Sequence, residues 1–224
     1  MKRTKLKDRV LPKYTKGEEI FNMVTHICGG ALGVVAIVLL PVFAGIHHNS
    51  CGIISGIIFG ISMIVLYTMS SIYHGLSPNL KAKKVFQIFD HCAIFLLIAG
   101  SYTPFCLCTL MKYDQKFAWI IFTIIWSSAI VGIIFNSIDI KKYKILSMIC
   151  YLLMGWCIIF KASILPELLT PVGFGLLLSG GIVYSIGAIL YGLGKKLKYI
   201  HSIFHIFIFI GSLLHFLCIL LYVV

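Results

Sequence analysis

Charged residues are scarce in this sequence: they make up 12% of its 224 residues, about half the fraction of a typical soluble domain. Hydrophobic residues reach 60%, and a water-soluble core of this size does not bury that much apolar surface. These two values exclude a soluble enzyme and a disordered chain. The eight cysteines have no Cys-x-x-Cys spacing, so a secreted disulfide-rich module has little support. The composition therefore indicates an integral membrane protein.

Long apolar stretches predict the fold. A helix needs about 20 apolar residues to cross a bilayer, whereas transmembrane strands would show alternation with frequent turns. Stretches of suitable length cover residues 20–43, 51–73, 85–111, 117–137, 145–160, 171–191 and 199–224. We therefore predict an all-α bundle of seven transmembrane helices at residues 20–224, preceded by a basic tail at residues 1–19.

The basic residues predict the orientation of the chain. The formal net charge of +12 is also a feature of nucleic-acid-binding proteins, so the positions of the charges decide between the two interpretations. Sixteen of the 19 basic residues lie in the tail or directly after the second, fourth and sixth stretches. Short basic segments stay on the cytoplasmic side of a membrane. We predict a multi-pass protein of the cell membrane with its N-terminus in the cytoplasm, its C-terminus outside and no nucleic-acid partner.

Ionisable residues within the apolar stretches or directly at their ends mark candidate functional positions, because placing them in a membrane costs free energy. There are seven: His26, His74, Asp90, His91, His201, His205 and His215. The predicted topology places the first six in the cytoplasmic leaflet. His215 lies about 21 Å along its helix from His201, so we expect it to form an interhelical hydrogen bond instead of joining the others.

Three of these histidines predict a metal site. His201 and His205 are four residues apart, so both imidazoles project from one helix face and can reach one ion, although this spacing is also common among packing and capping residues. His74 supplies a third nitrogen from another helix, with Ser70 one turn earlier, and Asp90 supplies a carboxylate. Three histidines with an open fourth position are typical of catalytic zinc sites, although imidazole also binds copper, iron and nickel.

Two further histidines have open roles. His26 follows three polar residues on the first stretch and fits either a structural role or support for a metal ligand. His91 projects about 100° away from the preceding aspartate, so we expect it to face a different neighbour.

A run of small residues predicts close packing between helices. Gly52, Gly56 and Gly60 repeat at intervals of four on the second stretch. Small residues at this spacing allow two helices to approach closely in lipid, so we interpret them as a packing surface.

Four segments together resemble the bacterial haemolysin III family, within the progestin and adipoQ receptor group that includes the adiponectin receptors. They are EIFNMVTH at 19–26, SSIYH at 70–74, FDHCAIFLLIAGSYTP at 89–104 and HSIFH at 201–205. The resemblance implies a seven-helix bundle with zinc near the cytoplasmic face. It also implies His74, His201 and His205 as zinc ligands, with Asp90 holding or activating a water molecule and Ser70 supporting it.

Three functions follow as hypotheses. The first is a zinc-dependent hydrolase of a lipid amide or ester, or a regulator of membrane lipid homeostasis, with a membrane lipid as substrate or ligand. The second is a pore-forming haemolysin, although no stretch carries the run of polar residues that a channel would need. The third is a non-catalytic lipid sensor in which zinc has a structural role.

Overall fold

The computed structural model describes residues 3–193 and 198–224, and these residues form an all-α structure. The long helices are α1 (Lys16–Ile46), α2 (Ser50–Gly75), α3 (Lys81–Pro104), α4 (Gln115–Trp156), α5 (Leu165–Leu193) and α6 (Ile200–Tyr222). A π-helical turn, Phe105–Leu110, continues α3 directly after Pro104. Shorter helical segments lie at Leu6–Asp8, Met111–Tyr113 and Cys157–Lys161.

The prediction of seven membrane-spanning helices is wrong. Within the described ranges, six helices are long and apolar enough to cross a membrane. The stretch at 117–137 and most of the stretch at 145–160 lie in α4, whose two helical parts meet at a kink at Asp139 (φ −162°, ψ 99°). The Asp139 carboxylate accepts hydrogen bonds from the backbone N–H groups of Lys141 and Lys142. This cap restarts the helix at once, so no basic loop separates the two stretches.

The predicted orientation, with the N-terminus in the cytoplasm and the C-terminus outside, combined the basic residues with an odd number of spans. Six spans do not support termini on opposite sides of the membrane. Three of the basic residues used for that prediction, Lys2, Lys195 and Lys196, lie outside the described residues.

Apolar side chains on the outer faces of the helices suit a lipid environment. Val34 on α1, Ile130 and Leu153 on α4, and Ile189 on α5 are each about half exposed or more. A helix satisfies its own backbone hydrogen bonds, which is a requirement inside a bilayer. The outer surface therefore agrees with a multi-pass membrane protein.

The glycines of α2 pack against α1 as predicted. A Cβ atom added to Gly60 would lie 2.8 Å from the backbone nitrogen of Ile37, and one added to Gly56 would lie 2.7 Å from the Cβ of Leu40. Both distances are shorter than side-chain contacts permit, so only glycine allows the two backbones this approach. This contact aligns α1 with α2 and brings their polar residues to one end of the bundle.

At this polar end of the bundle α1 and α6 begin and α2 ends. Glu18 on α1 accepts a hydrogen bond of 2.8 Å from the backbone N–H of Tyr199, directly before α6. Thr15 caps α1 through a reciprocal pair of hydrogen bonds with Glu18. These contacts hold the first turns of α1 and α6 next to each other and position the histidines that follow.

Candidate metal centre

Three histidines from two helices meet at this end of the bundle. One ring nitrogen from each of His74, His201 and His205 lies within 4.8 Å of the others, and all three residues are buried. The Nε2 atoms of His201 and His205 are 3.1 Å apart, which their shared helix face allows. The three predicted ligands are therefore adjacent.

The chemistry of this histidine cluster fits a metal ion. Among the described residues, Nε2 of His74 and Nδ1 of His205 are buried and have no hydrogen-bond partner. Unpartnered buried nitrogens cost free energy, and a bound cation would remove part of that cost for a nitrogen that ligates it. Nitrogen ligands of a tetrahedral zinc ion lie about 3.4 Å from one another, and the 3.1 Å between Nε2 of His201 and Nε2 of His205 is close to that spacing, with the His74 nitrogen within 4.8 Å of both. Small side-chain adjustments would complete such a site.

A carboxylate and a lysine support His74 from outside the cluster. Glu19 Oε2 lies 2.6 Å from Nδ1 of His74, and Glu19 Oε1 accepts a hydrogen bond of 2.7 Å from Lys83 Nζ. Lys83 is 1% exposed and also donates to the backbone carbonyl of Leu76. A carboxylate in this position fixes the orientation and tautomer of a ligand histidine.

Sequence reasoning missed both Glu19 and Lys83. Lys83 is one of the basic residues that predict topology, yet its side chain is buried in an ion pair. A signal for Glu19 is present, because Glu19, Asn22 and His26 follow one another at intervals of three and four residues. These residues form a polar stripe on one face of an otherwise apolar helix.

His26 is part of the histidine cluster's immediate surroundings. Its ring centroid lies 3.8 Å from that of His205, and it also makes an edge contact with Tyr67. Both ring nitrogens are buried without a hydrogen-bond partner among the described residues. Of the two roles left open by the sequence, this position agrees with support of the ligand candidate His205.

The segment before α1 covers the cluster. Tyr14 stacks on His201 with ring centroids 4.9 Å apart and also contacts His74. Burial raises the pKa of the Tyr14 hydroxyl well above its usual value. Tyr14 therefore stays neutral. Its ring covers the imidazole rings of His74 and His201.

A large cavity of about 860 Å³ adjoins the histidines. Its walls contain His201, His205, Ser70 and Asp90, with apolar side chains such as Ile94 along much of the remainder. Cavities of this size are typical of small-molecule sites. The cavity gives the histidine cluster access to a ligand much larger than water.

Ser70 and Asp90 lie in the wall of this cavity, where the sequence predicts them to be near the metal. The Ser70 hydroxyl is buried and has no hydrogen-bond partner within the described chain. No hydrogen bond or ion pair joins Asp90 to the three histidines in the described ranges. Both residues face the same space as His201 and His205, so a molecule in the cavity can contact all four.

The other two candidate histidines, His91 and His215, lie outside the cluster. His215 Nε2 donates a hydrogen bond of 3.3 Å to the Leu177 carbonyl on α5, which confirms the predicted interhelical bond. The His91 ring makes an edge contact with Tyr191, and so faces a neighbour other than the three ligand candidates. Both side chains nevertheless line the cavity.

Comparison with known proteins identifies the family. The model of the family described as "Haemolysin-III related" matches residues 14–216. "Hemolysin-3" of Bacillus cereus is 43% identical over 206 residues, which cover 92% of each chain. "Hemolysin-3 homolog" of Bacillus subtilis (strain 168) is 40% identical over 211 residues, covering 94% of this chain and 97% of the relative.

A weaker similarity extends to "Monocyte to macrophage differentiation factor" of Homo sapiens, which is 26% identical over 164 residues, or 71% of this chain and 66% of the relative. The family match includes Tyr14, all three clustered histidines, and every long helix apart from the last turns of α6. Because the two Bacillus relatives cover nearly the whole chain at 40% identity or more, this multi-pass cell-membrane protein belongs to the haemolysin III family.

Proposed function

We propose that this protein is a zinc-dependent membrane hydrolase that cleaves an amide or ester bond of a lipid. The observation that carries the proposal is the convergence of three buried imidazoles beside a cavity of about 860 Å³ that also holds a carboxylate and a hydroxyl. His74, His201 and His205 would hold the zinc. When bound, zinc supplies Lewis-acid polarisation of a carbonyl and makes water more acidic.

Glu19 would position His74 for this role. Its carboxylate accepts a hydrogen bond from Nδ1 of His74, and Nε2 of the same ring can therefore face the other two histidines. Lys83 keeps the Glu19 carboxylate in place through its own hydrogen bond. This arrangement selects one ring orientation and one tautomer, which a metal ligand needs.

Asp90 would accept a proton from water and return it to the leaving group. This general acid–base role requires a carboxylate facing the substrate space, and Asp90 lines the cavity. The buried Ser70 hydroxyl, which faces the same space, would donate a hydrogen bond to the substrate carbonyl or to Asp90. The apolar walls would hold an acyl chain and exclude bulk water from the site.

The test uses the purified full-length protein with a panel of lipid amides and esters that share one acyl chain. We expect the wild-type protein to contain about one zinc per chain and to hydrolyse a member of the panel. Asp90→Asn should retain zinc and lose turnover by about 100-fold or more. His205→Ala should lose both. His48→Asn is the matched control, because His48 is exposed and asparagine tolerates its positive φ of 54°.

Two outcomes would contradict the proposal. Purified wild-type protein that contains no metal would refute the zinc site, and full turnover by Asp90→Asn would refute the role of Asp90 as proton carrier. A loss of turnover in His48→Asn would show that the assay reports general damage.

A pore-forming function is the second candidate, because the two Bacillus relatives carry the name hemolysin. Dye release from liposomes that continues after removal of zinc by a chelator would favour this function. A non-catalytic sensor is the third, because the histidine cluster joins α2 to α6 and contacts α1. In that case metal removal should lower thermal stability while no lipid is consumed.

A further inference from the structure

Arg9, in the segment before α1, contributes to the wall of the large cavity. The side chain lines the cavity, and its Nε and Nη1 atoms are buried with no hydrogen-bond partner among the described residues. Guanidinium always carries a charge at neutral pH and presents its donors as a planar fork. A partly buried fork with two unpartnered donors points to an anionic ligand.

The carboxylates of the same wall do not satisfy Arg9. Asp139 attracts it electrostatically, but the Asp139 oxygens already accept hydrogen bonds from Thr4, Lys141 and Lys142. Glu18 accepts from the Thr15 and Tyr199 backbone N–H groups. No ion pair between Arg9 and a carboxylate occurs in the described part of the chain.

Other positively charged side chains line the cavity as well. They are Lys13 from the same segment as Arg9, Lys141 on α4 and Lys198 directly before α6. The other acidic side chains of the lining are Asp8 and Asp90, and neither forms an ion pair within the described ranges. Burial lowers the pKa of Arg9, and the nearby Arg3 acts in the same direction. A doubly charged phosphate with several acceptor oxygens would match this set of donors better than a single carboxylate.

Much of the remaining wall is apolar and includes Ile94, Leu97 and Ile98 of α3 and Ile208 of α6. A cavity that combines apolar walls with a cationic group fits an amphiphile with one acyl chain. A lipid is therefore favoured over free phosphate as the source of the anion.

We propose that Arg9 binds the phosphate of an anionic lipid whose acyl chain occupies the cavity. The inference deepens the proposed function, on which it rests for the statement that this lipid is the substrate. Arg9 forms charge-assisted hydrogen bonds to the phosphate oxygens, and this contact selects phosphate-bearing lipids over neutral ones.

The experiment measures binding to the detergent-solubilised full-length protein by isothermal titration calorimetry. The probe is an ether-linked lysophosphatidic acid, which contains no carboxylic ester or amide bond and so reports binding whether or not the protein hydrolyses lipids. The comparison ligand is the ether-linked glycerol lipid with the same chain and no phosphate. We expect the phosphate lipid to bind wild-type protein about tenfold more tightly, the order that charge-assisted hydrogen bonds contribute.

Two substitutions isolate Arg9. Arg9→Gln should lose the tenfold preference, and Arg9→Lys should keep part of it because the charge remains without the planar fork. Lys5→Gln removes a charge from the same segment at an exposed position outside the cavity wall, and it should bind both lipids as the wild-type protein does. Unchanged preference in Arg9→Gln would overturn the proposal.

Two further measurements use the wild-type protein, so they do not depend on whether a variant folds. Equal affinity for the two ether lipids would overturn the proposal. Inorganic phosphate that binds as tightly as the phosphate lipid would overturn the lipid as the source of the anion. Phosphate-dependent lipid binding by a protein that hydrolyses none of the lipid panel would retain Arg9 as the binding residue and refute the hydrolase.

Discussion

Glu19 Oε2 lies 2.6 Å from Nδ1 of His74, across the contact between α1 and α2. The pair brings a carboxylate from the first turns of one helix to an imidazole at the end of the next. It fixes which nitrogen of His74 faces His201 and His205. The histidine cluster therefore depends on α1, although α1 contributes none of its three members.

Replacing Glu19 should weaken metal binding. Glu19→Gln keeps the size of the side chain but removes the charge that stabilises the required tautomer of His74. We expect zinc affinity to fall by roughly 10–100-fold, the usual effect of removing such a partner. Competition with a zinc chelator measures the affinity. Glu167→Gln, at an exposed position on α5, is the control, and equal affinities in the two variants would refute the prediction.

The ion pair between Glu19 and Lys83 should be detectable as an energetic coupling. Glu19→Ala leaves the buried Lys83 ammonium without its carboxylate, and breaking such a pair costs about 3–5 kcal/mol. In the double variant Glu19→Ala/Lys83→Met no unpaired lysine remains, so we expect it to be more stable than Glu19→Ala alone. Denaturation of the wild-type protein, both single variants and the double variant in detergent gives the coupling energy. Strictly additive losses would show that the two side chains do not interact.

Gly60 should tolerate no larger residue. Gly60→Ala places a methyl group 2.8 Å from the Ile37 backbone nitrogen, so α1 and α2 must separate. We expect a loss of about 1–3 kcal/mol, as for other overpacked contacts, together with a loss of bound metal as α1 moves. Gly45→Ala on α1 meets no atom of the described residues within 4 Å and should leave the thermal midpoint unchanged or slightly higher. A Gly60→Ala protein as stable as Gly45→Ala would contradict the close contact.

Asp139 should hold both the restarted helix and the N-terminal segment. Its Oδ1 caps α4 at Lys141 and Lys142, and its Oδ2 accepts the backbone N–H of Thr4. Asp139→Ala removes all three bonds, and a lost cap alone costs about 1 kcal/mol. Hydrogen exchange should accelerate at Thr4, Lys141 and Lys142. Asp8→Ala, an exposed change in the same N-terminal segment, should leave exchange at Lys141 and Lys142 unaffected.

The sequence is informative where chemistry and spacing coincide. His201 and His205 are four residues apart in an apolar stretch, so their shared helix face follows from helix geometry. The addition of His74 needs only the observation that few ionisable residues occur in the apolar stretches. The glycines of α2 are predictable as a packing surface for a similar reason, because their spacing of four residues places them on one helix face.

The features that the sequence did not predict arise from long-range contacts and from a local helix cap. Lys83 contacts a carboxylate 64 residues earlier in the chain, and its basic neighbours in the sequence, Lys81 and Lys84, are of the kind that report topology. Asp139 follows the end of one apolar stretch in the sequence, but its side chain restarts the helix within two residues. Composition gives the polarity of such residues and not their partners.

The segment that carries Arg9 and Tyr14 has a practical consequence for handling the protein. A short basic N-terminus is routinely trimmed or fused to a purification tag, on the assumption that it makes no contact with the folded domain. Here Thr4 and Arg3 are hydrogen-bonded to α4, and Tyr14 rests on His201. Deleting residues 1–15 would open the cavity and uncover the imidazole rings, so an inactive truncated protein would say nothing about the native one.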